Sequence, residues 1–356
     1  MNEFDIWLSF VLGTDCSNGN RISEKNISPD VLYKNRANWG KFDCFTEKQI
    51  ETASKITLDD VRDICEKHRK NKIKSINYTD EKFPDKFKNI SHAPLILFYK
   101  GHIEMLSEPY IVAVIGSRNC DGEGVIICEN IAEDIAHSGG VVVSGMAQGI
   151  DSKSCKKCVE VGGKAIGILG VPLDVYYPKT NKDFQEMMCE KHLVISEFYS
   201  GYPYLPKNFV VRNRLIAAVS DGVCIIQAHS ESGSLTTAKD AVEYGKQIFT
   251  VPGSIFNKRY EGSNNLLVEG KATAVVDGKQ IMAHLGANPE DTKEKEKIEL
   301  EPNLQIIYDC IEGAMAAGKI IRITKMKPSV VKAGLTQLEM DGYITRTESG
   351  EYIQNK

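Results

Sequence analysis

No stretch of this chain approaches the roughly 18 consecutive apolar residues that a membrane-spanning helix needs, so none is expected. The first residues, Met1-Asn-Glu-Phe-Asp5, are acidic and lack the basic-then-apolar pattern of a secretory leader. The expectation is a cytoplasmic protein with no membrane partner. A surplus of basic charge is also missing: the net charge is −4 over 356 residues. Any nucleic-acid site must then be a local patch and not a coated surface. Paired cysteine motifs are lacking. The ten cysteines are scattered through apolar segments, and Cys155-Lys-Lys-Cys158 stands alone with no second pair. Reduced thiols are expected, with neither a zinc site nor a redox dithiol. The seven histidines show no metal spacing, so no metal is assigned. No serine–histidine–acid set and no paired carboxylates share a loop. No catalytic residue is therefore assigned, and the sequence points to binding over chemistry.

What is present is a change of pattern along the chain. Residues 1–75 read as short helices, Glu3–Leu12, Ser28–Asn35, Thr46–Ala53 and Thr57–Lys70, the last with Thr57 as its cap. Ile73–Tyr99 holds several prolines and one extended apolar run, and reads as a connector that adds a strand. From Tyr110 to about Leu285, short apolar runs alternate with helical stretches. The strand candidates are Ile111–Ile115, Val141–Ser144, Ala165–Leu169, Leu193–Glu197, Val223–Gln227 and Gln247–Val251. Continuous apolarity over so few residues is expected of strands covered on both faces. The fold class is thus α/β, a doubly wound and mostly parallel sheet. Residues 286–302 read as a charged linker. Residues 303–356 return to helix at Leu304–Ile311 and Val330–Met340, with nothing defined between Met315 and Met326, and end in a hairpin that suggests a winged helix.

The strand ends carry the candidate chemistry. The first strand stops on Gly116-Ser117-Arg118, with Gly122 and Gly124 opening the next helix. Glycine admits close backbone approach and a helix N-terminus attracts anions. The spacing fits neither the dinucleotide fingerprint nor the P-loop, so no cofactor is assigned. Ser144-Gly145-Met-Ala-Gln-Gly149-Ile-Asp151 follows the second strand; Asp151 is either a helix cap or part of a ligand-contacting turn. Lys179 and Asn181 follow the third, as solvated loop residues or as phosphate contacts. Ser232, Gly233, Ser234 and Thr236 open a helix after the fifth strand, as a cap or an anion-binding concavity. Phe209, Arg212, Asn213 and Arg214 precede an apolar strand. Arginine suits phosphate because its planar fork matches the oxygens.

Taken in order, Gly116-Ser-Arg118, Ser144-Gly-Met-Ala-x-Gly-Ile-Asp151, Tyr177-Pro-x-x-Asn181, Ser196-Glu197, Phe209-x-x-Arg-Asn-Arg-x-Ile-Ala217, Ser232-Gly-Ser-Leu-x-Thr-Ala238 and Val251-Pro-Gly253 closely resemble the DNA-processing protein A (DprA, or Smf) family. The likeness runs from about residue 75 to 285. It implies an extended Rossmann-like domain, residues 76–285, between an N-terminal helical domain of the sterile-alpha-motif type and the C-terminal winged helix. It implies a homodimer that binds single-stranded DNA, protects it, and loads the RecA recombinase during natural transformation. Carried over by position, Arg118, Lys179, Arg212 and Arg214 would line the phosphate pocket and Phe209 would stack on a base. The chain departs from the family pattern at Gln148, Cys155 and Val210. The rival readings are a phosphoribohydrolase-like nucleotide enzyme, whose usual carboxylate position falls here on Lys239, and a nucleotide sensor.

Overall fold

The computed structural model describes residues 2–13, 17–287, 300–311, 315–347 and 350–354. The chain forms two compact units, Met1–Asp291 and Thr292–Lys356. Most of the expected linker, residues 288–299, lies outside the described residues.

The first unit is built on a nine-stranded sheet. Its strands are β1 (Lys74–Asn77), β2 (Ile96–Gly101), β3 (Ile111–Ile115), β4 (Val141–Ser144), β5 (Lys164–Leu169), β6 (Leu193–Ser196), β7 (Gly222–Ile225), β8 (Gln247–Thr250) and β9 (Thr273–Ala274). The spatial order is β1-β2-β6-β5-β4-β3-β7-β8-β9, parallel from β6 to β9 and antiparallel at β1–β2 and β2–β6. Every residue of β3, β4, β6 and β7 is buried, because helices cover both faces. These helices are α7 (Gly122–His137), α8 (Ile150–Glu160), α9 (Lys182–Lys191), α10 (Lys207–Val219), α11 (Ser234–Glu243), α12 (Glu261–Val268) and α13 (Gly278–His284).

Before them come α1 (Glu3–Leu12), α2 (Gly19–Glu24), α3 (Pro29–Lys34), α4 (Glu47–Lys55), α5 (Arg62–Lys70) and the single turn α6 (Asp85–Lys88). Thr46 and Gln49 form a reciprocal capping box at the start of α4. The expected Thr57 cap is inverted: the Thr57 amide and hydroxyl both donate to Asp60 at 2.7 Å, and α5 starts only at Arg62. These helices share one hydrophobic core with the sheet. Asp5 of α1 accepts hydrogen bonds from Ser75 and Asn77 around β1, and its burial pushes the carboxyl up to about 6. His68 of α5 accepts the Ser200 amide behind β6 at 3.0 Å and meets Phe98 edge to face.

The second unit has a separate core. Helices α14 (Pro302–Asp309), α15 (Ala317–Thr324) and α16 (Pro328–Met340) and the hairpin β10 (Ile344–Arg346)–β11 (Tyr352–Gln354) close over Ile307, Ile320, Val331, Leu335 and Leu338. Helix α15 fills the stretch that the sequence left undefined. Three helices are followed by the hairpin in chain order.

Among the described residues, no helix is long and apolar enough to cross a membrane.

Candidate nucleic-acid interface

The parallel strands β3, β4, β5, β7 and β8 all end at one edge of the sheet, and the loops they release hold the sequence candidates. Two of these loops interlock. Gly149 has φ +85°, and a Cβ there would come within 2.3 Å of the Ser117 carbonyl, so only glycine fits. Asp151 does not cap α8, whose first residue is Ile150 and whose N-cap is Gly149. Its carboxylate instead turns back to accept the amides of Gly116 (3.4 Å) and Gly145 (3.1 Å). Burial raises the Asp151 pKa against the pull of the Arg212 guanidinium and those amides. The N–H groups of Gly116 and Gly145, expected to face an anion, are thus held inside the protein.

Two arginines require the same correction. The sequence placed Arg212 and Arg214 together at the phosphate edge. Arg212 is 3% exposed and donates to the carbonyls of Gly145 (2.8 Å) and Ile168, over a Gly145 that leaves no room for a Cβ. Desolvation pushes its pKa down to about 10. Arg214 grips Glu197 through two hydrogen bonds of 2.6 and 2.8 Å and donates to the His92 carbonyl at 3.0 Å. Both guanidinium groups are turned into the protein, where they fasten α10 to the sheet. Asn181 is also internal: it donates to the Met146 carbonyl (3.1 Å) and the Ser152 hydroxyl (2.6 Å). Asn213 ties α10 to the start of α11 through Gly233 (3.2 Å) and Thr236 (2.8 Å).

Other candidates face solvent. Arg118 is exposed, and no hydrogen bond or ion pair engages its guanidinium among the described residues. The group lies over the Phe209 ring, 5.3 Å from the centroid. Phe209 itself is only 9% exposed and packs against Tyr177 and Tyr204, with centroids 5.0 and 5.8 Å away. Tyr204 is 52% exposed, and its hydrogen bond to Tyr177 raises the phenol pKa. The open aromatic face is therefore Tyr204, which sequence reasoning missed. Its signal was present in Gly201-Tyr-Pro-Tyr-Leu-Pro206, a proline-rich loop with two tyrosines. Lys179 is exposed at the start of a 3-10 turn. At the α11 start, the Ser232 and Ser234 hydroxyls pair at 2.8 Å, and Thr236 donates to the Gly233 carbonyl at 2.7 Å. Ser117 is buried, its hydroxyl accepting the Asn119 amide at 3.1 Å.

No group of histidine, cysteine and carboxylate side chains able to hold a metal occurs among the described residues. Burial pushes the Cys158 and Cys224 thiols up to about 12, and Cys155 well above its ordinary value. Such thiols are poor nucleophiles and poor ligands.

Comparison with known proteins finds relatives in sequence and in structure. The chain is 39% identical over 212 residues to the DNA processing protein DprA of Streptococcus pneumoniae, covering 60% of this chain and 74% of that protein. It is 32% identical over 218 residues to the DprA of Bacillus subtilis, covering 61% and 73%. The crystal structure of the S. pneumoniae protein matches with a TM-score of 0.68 at 30% identity, covering 80% of this chain and 98% of that one. A Helicobacter pylori DprA structure, described by its single-stranded DNA binding mode, matches with a TM-score of 0.54 at 30% identity, covering 60% and 95%. The model of the DNA recombination-mediator protein A family matches residues 74–286, from the first strand to the end of the last helix of the sheet domain. The chain belongs to that family, whose members are DNA-binding recombination mediators and not enzymes.

Proposed function

We propose that this protein mediates recombination by binding single-stranded DNA along the loop edge of the sheet, protecting incoming strands and helping to load RecA onto them during natural transformation. The observation that carries the reading is Arg118, an exposed guanidinium with no hydrogen-bond or ion-pair partner among the described residues, braced on Phe209, with the half-exposed Tyr204 in the same aromatic cluster. In this reading Arg118 and Lys179 neutralise phosphates, Tyr204 stacks on a base over the Phe209 platform, and the Ser232–Thr236 turn lies beside the strand. Arg212, Arg214, Asn181 and Asn213 hold the loops in place. The expected assembly is a cytoplasmic homodimer, and residues 303–356 form its winged helix, available to DNA or to RecA.

Phosphate contacts fix position without reading sequence, so base preference should be slight. Arg118→Ala should weaken binding of a labelled single-stranded oligonucleotide and reduce the salt slope of log K by about 0.7. The thermal melt should move little, because Arg118 makes no hydrogen bond or ion pair among the described residues and meets Phe209 only from its solvent side. Fluorescence anisotropy across a salt series measures both quantities. Wild-type affinity in a folded Arg118→Ala variant would remove Arg118 from the interface. Displacement of the oligonucleotide by mononucleotides at comparable concentration would favour a nucleotide sensor.

A further inference from the structure

Strands β3 and β7 are parallel neighbours, and the chain leaves them in opposite directions, through α7 to β4 and through α11 to β8. A crevice opens where connections diverge in this way, and it is where α/β sheets take their ligands. Here it is a shallow hollow, open to solvent. Ser117 and Asn119 line it from behind β3, His229 from behind β7, and Phe256, Lys258 and Arg259 from behind β8. None of the β8 residues was among the sequence candidates.

The loop behind β8 displays its apolar residues openly. Ile255 is 84% exposed and Phe256 is 91% exposed. The loop is nevertheless held. The Asn257 amide group donates to Asp121 at 3.0 Å while its oxygen accepts the Arg259 amide at 3.2 Å. Arg259 Nε donates to the Asn119 carbonyl at 3.0 Å, and Tyr260 is buried under Gly253. A large aromatic ring fixed in water on a braced loop marks a contact surface.

The charges around it decide what it contacts. Asp121 is occupied as the α7 cap by the Gly124 amide, which with the Asn257 hydrogen bond keeps its pKa low, and Arg259 stands 3.8 Å away. Lys258 has no carboxylate partner among the described residues, which leaves the cleft with positive charge in excess. An open aromatic face over a shallow hollow, beside a cation with no carboxylate partner among the described residues, fits a base and its phosphate. Ser117 belongs both to this cleft and to the loop that carries Arg118, so one strand can run continuously across them.

We propose that the 254–259 loop is a second stacking station for single-stranded nucleic acid, with Phe256 taking a base and Lys258 the adjoining phosphate. The proposal rests on Arg118 contacting the same strand. The test uses the full chain with oligothymidylates of about 6 and about 20 nucleotides, comparing Phe256→Ala, Lys258→Ala and Phe256→Trp with Arg118→Ala. Phe256→Ala should weaken the long oligonucleotide on the order of 5- to 50-fold and the short one little, with Phe256→Trp restoring affinity. Arg118→Ala should weaken both lengths. Wild-type binding of the long strand by Phe256→Ala, with Arg118→Ala impaired, overturns the second station and leaves the first reading standing. An inert Arg118→Ala overturns the first reading. A change of sedimenting mass in DNA-free Phe256→Ala overturns the proposal in favour of a contact between copies of this chain.

Discussion

Glu197 and Arg214 meet through two hydrogen bonds with their side chains 5% and 9% exposed. Removing one partner of such a pair strands the other charge away from water. Glu197→Ala should therefore cost about 3–5 kcal/mol in urea denaturation, whereas Arg118→Ala, which loses only an exposed contact with Phe209, should cost about 1 kcal/mol or less. Arg118 and Arg214 are the same residue type in the same family of motifs, and the sequence assigned them one job. Residue type was legible; direction was not. Arg212 and Arg214 are two positions apart on α10, which turns them about 200° from each other, so they cannot both face one edge. Phe209 was identified as an aromatic of the site, but its burial beneath Arg118 and Tyr204 depends on loops far away in the chain.

Helix α5 reaches the loop behind β6 with His68, whose Nε2 accepts the Ser200 amide. His68 is fully buried, and desolvation pushes its pKa down to about 4 despite the nearby Asp174. The unfolded chain takes up a proton near pH 6.5, while the folded chain refuses it until about pH 4. Between those values the unfolded state binds more protons, so stability falls as pH falls. The contribution is about 2 kcal/mol between pH 7 and pH 5. His68→Gln retains an acceptor for the Ser200 amide and does not titrate. Its stability should fall less than that of the wild type over this range, as read from chemical denaturation at each pH. Asp5 works in the opposite sense, since its raised pKa favours the folded state as pH falls through about 6; the comparison with His68→Gln cancels it. At this scale the central strands were legible because they are continuous apolar runs. Strands β1 and β2 were compressed into one because the pattern between them is broken by proline and charge, and β9, two exposed residues, carries no periodic signal.

The molecule as a whole carries a net charge of −4, yet Arg118 and Lys258, at one edge of one unit, have no carboxylate partner among the described residues. Its two units have separate cores. A chain ending at residue 291 should keep its cooperative melt and hold single-stranded DNA within about twofold of the full chain, as expected of a unit with its own core. A large loss of affinity would assign the second unit a direct share of the strand. The boundary between the two units falls inside the charged segment of residues 286–302. The union of the N-terminal helices with the sheet was not legible, because it depends on contacts such as Asp5 with Ser75 and Asn77.

The chain has two tryptophans, Trp7 and Trp39, both fully buried and 5.6 Å apart, donating their indole N–H groups to the carbonyls of Ile56 and Leu32. Both sit among the first helices, and the second unit has none. Emission excited at the red edge of the indole band is thus a private reporter of the N-terminal layer, dark to the hairpin unit and to bases stacking on Tyr204 or Phe256. Calorimetry counts both units, so a heat peak with no optical counterpart belongs to residues 300–354. Any quenching on addition of DNA would report a change passed to these helices, which meet the loop behind β6 directly where Phe10 packs on Tyr199, 5.5 Å between ring centroids.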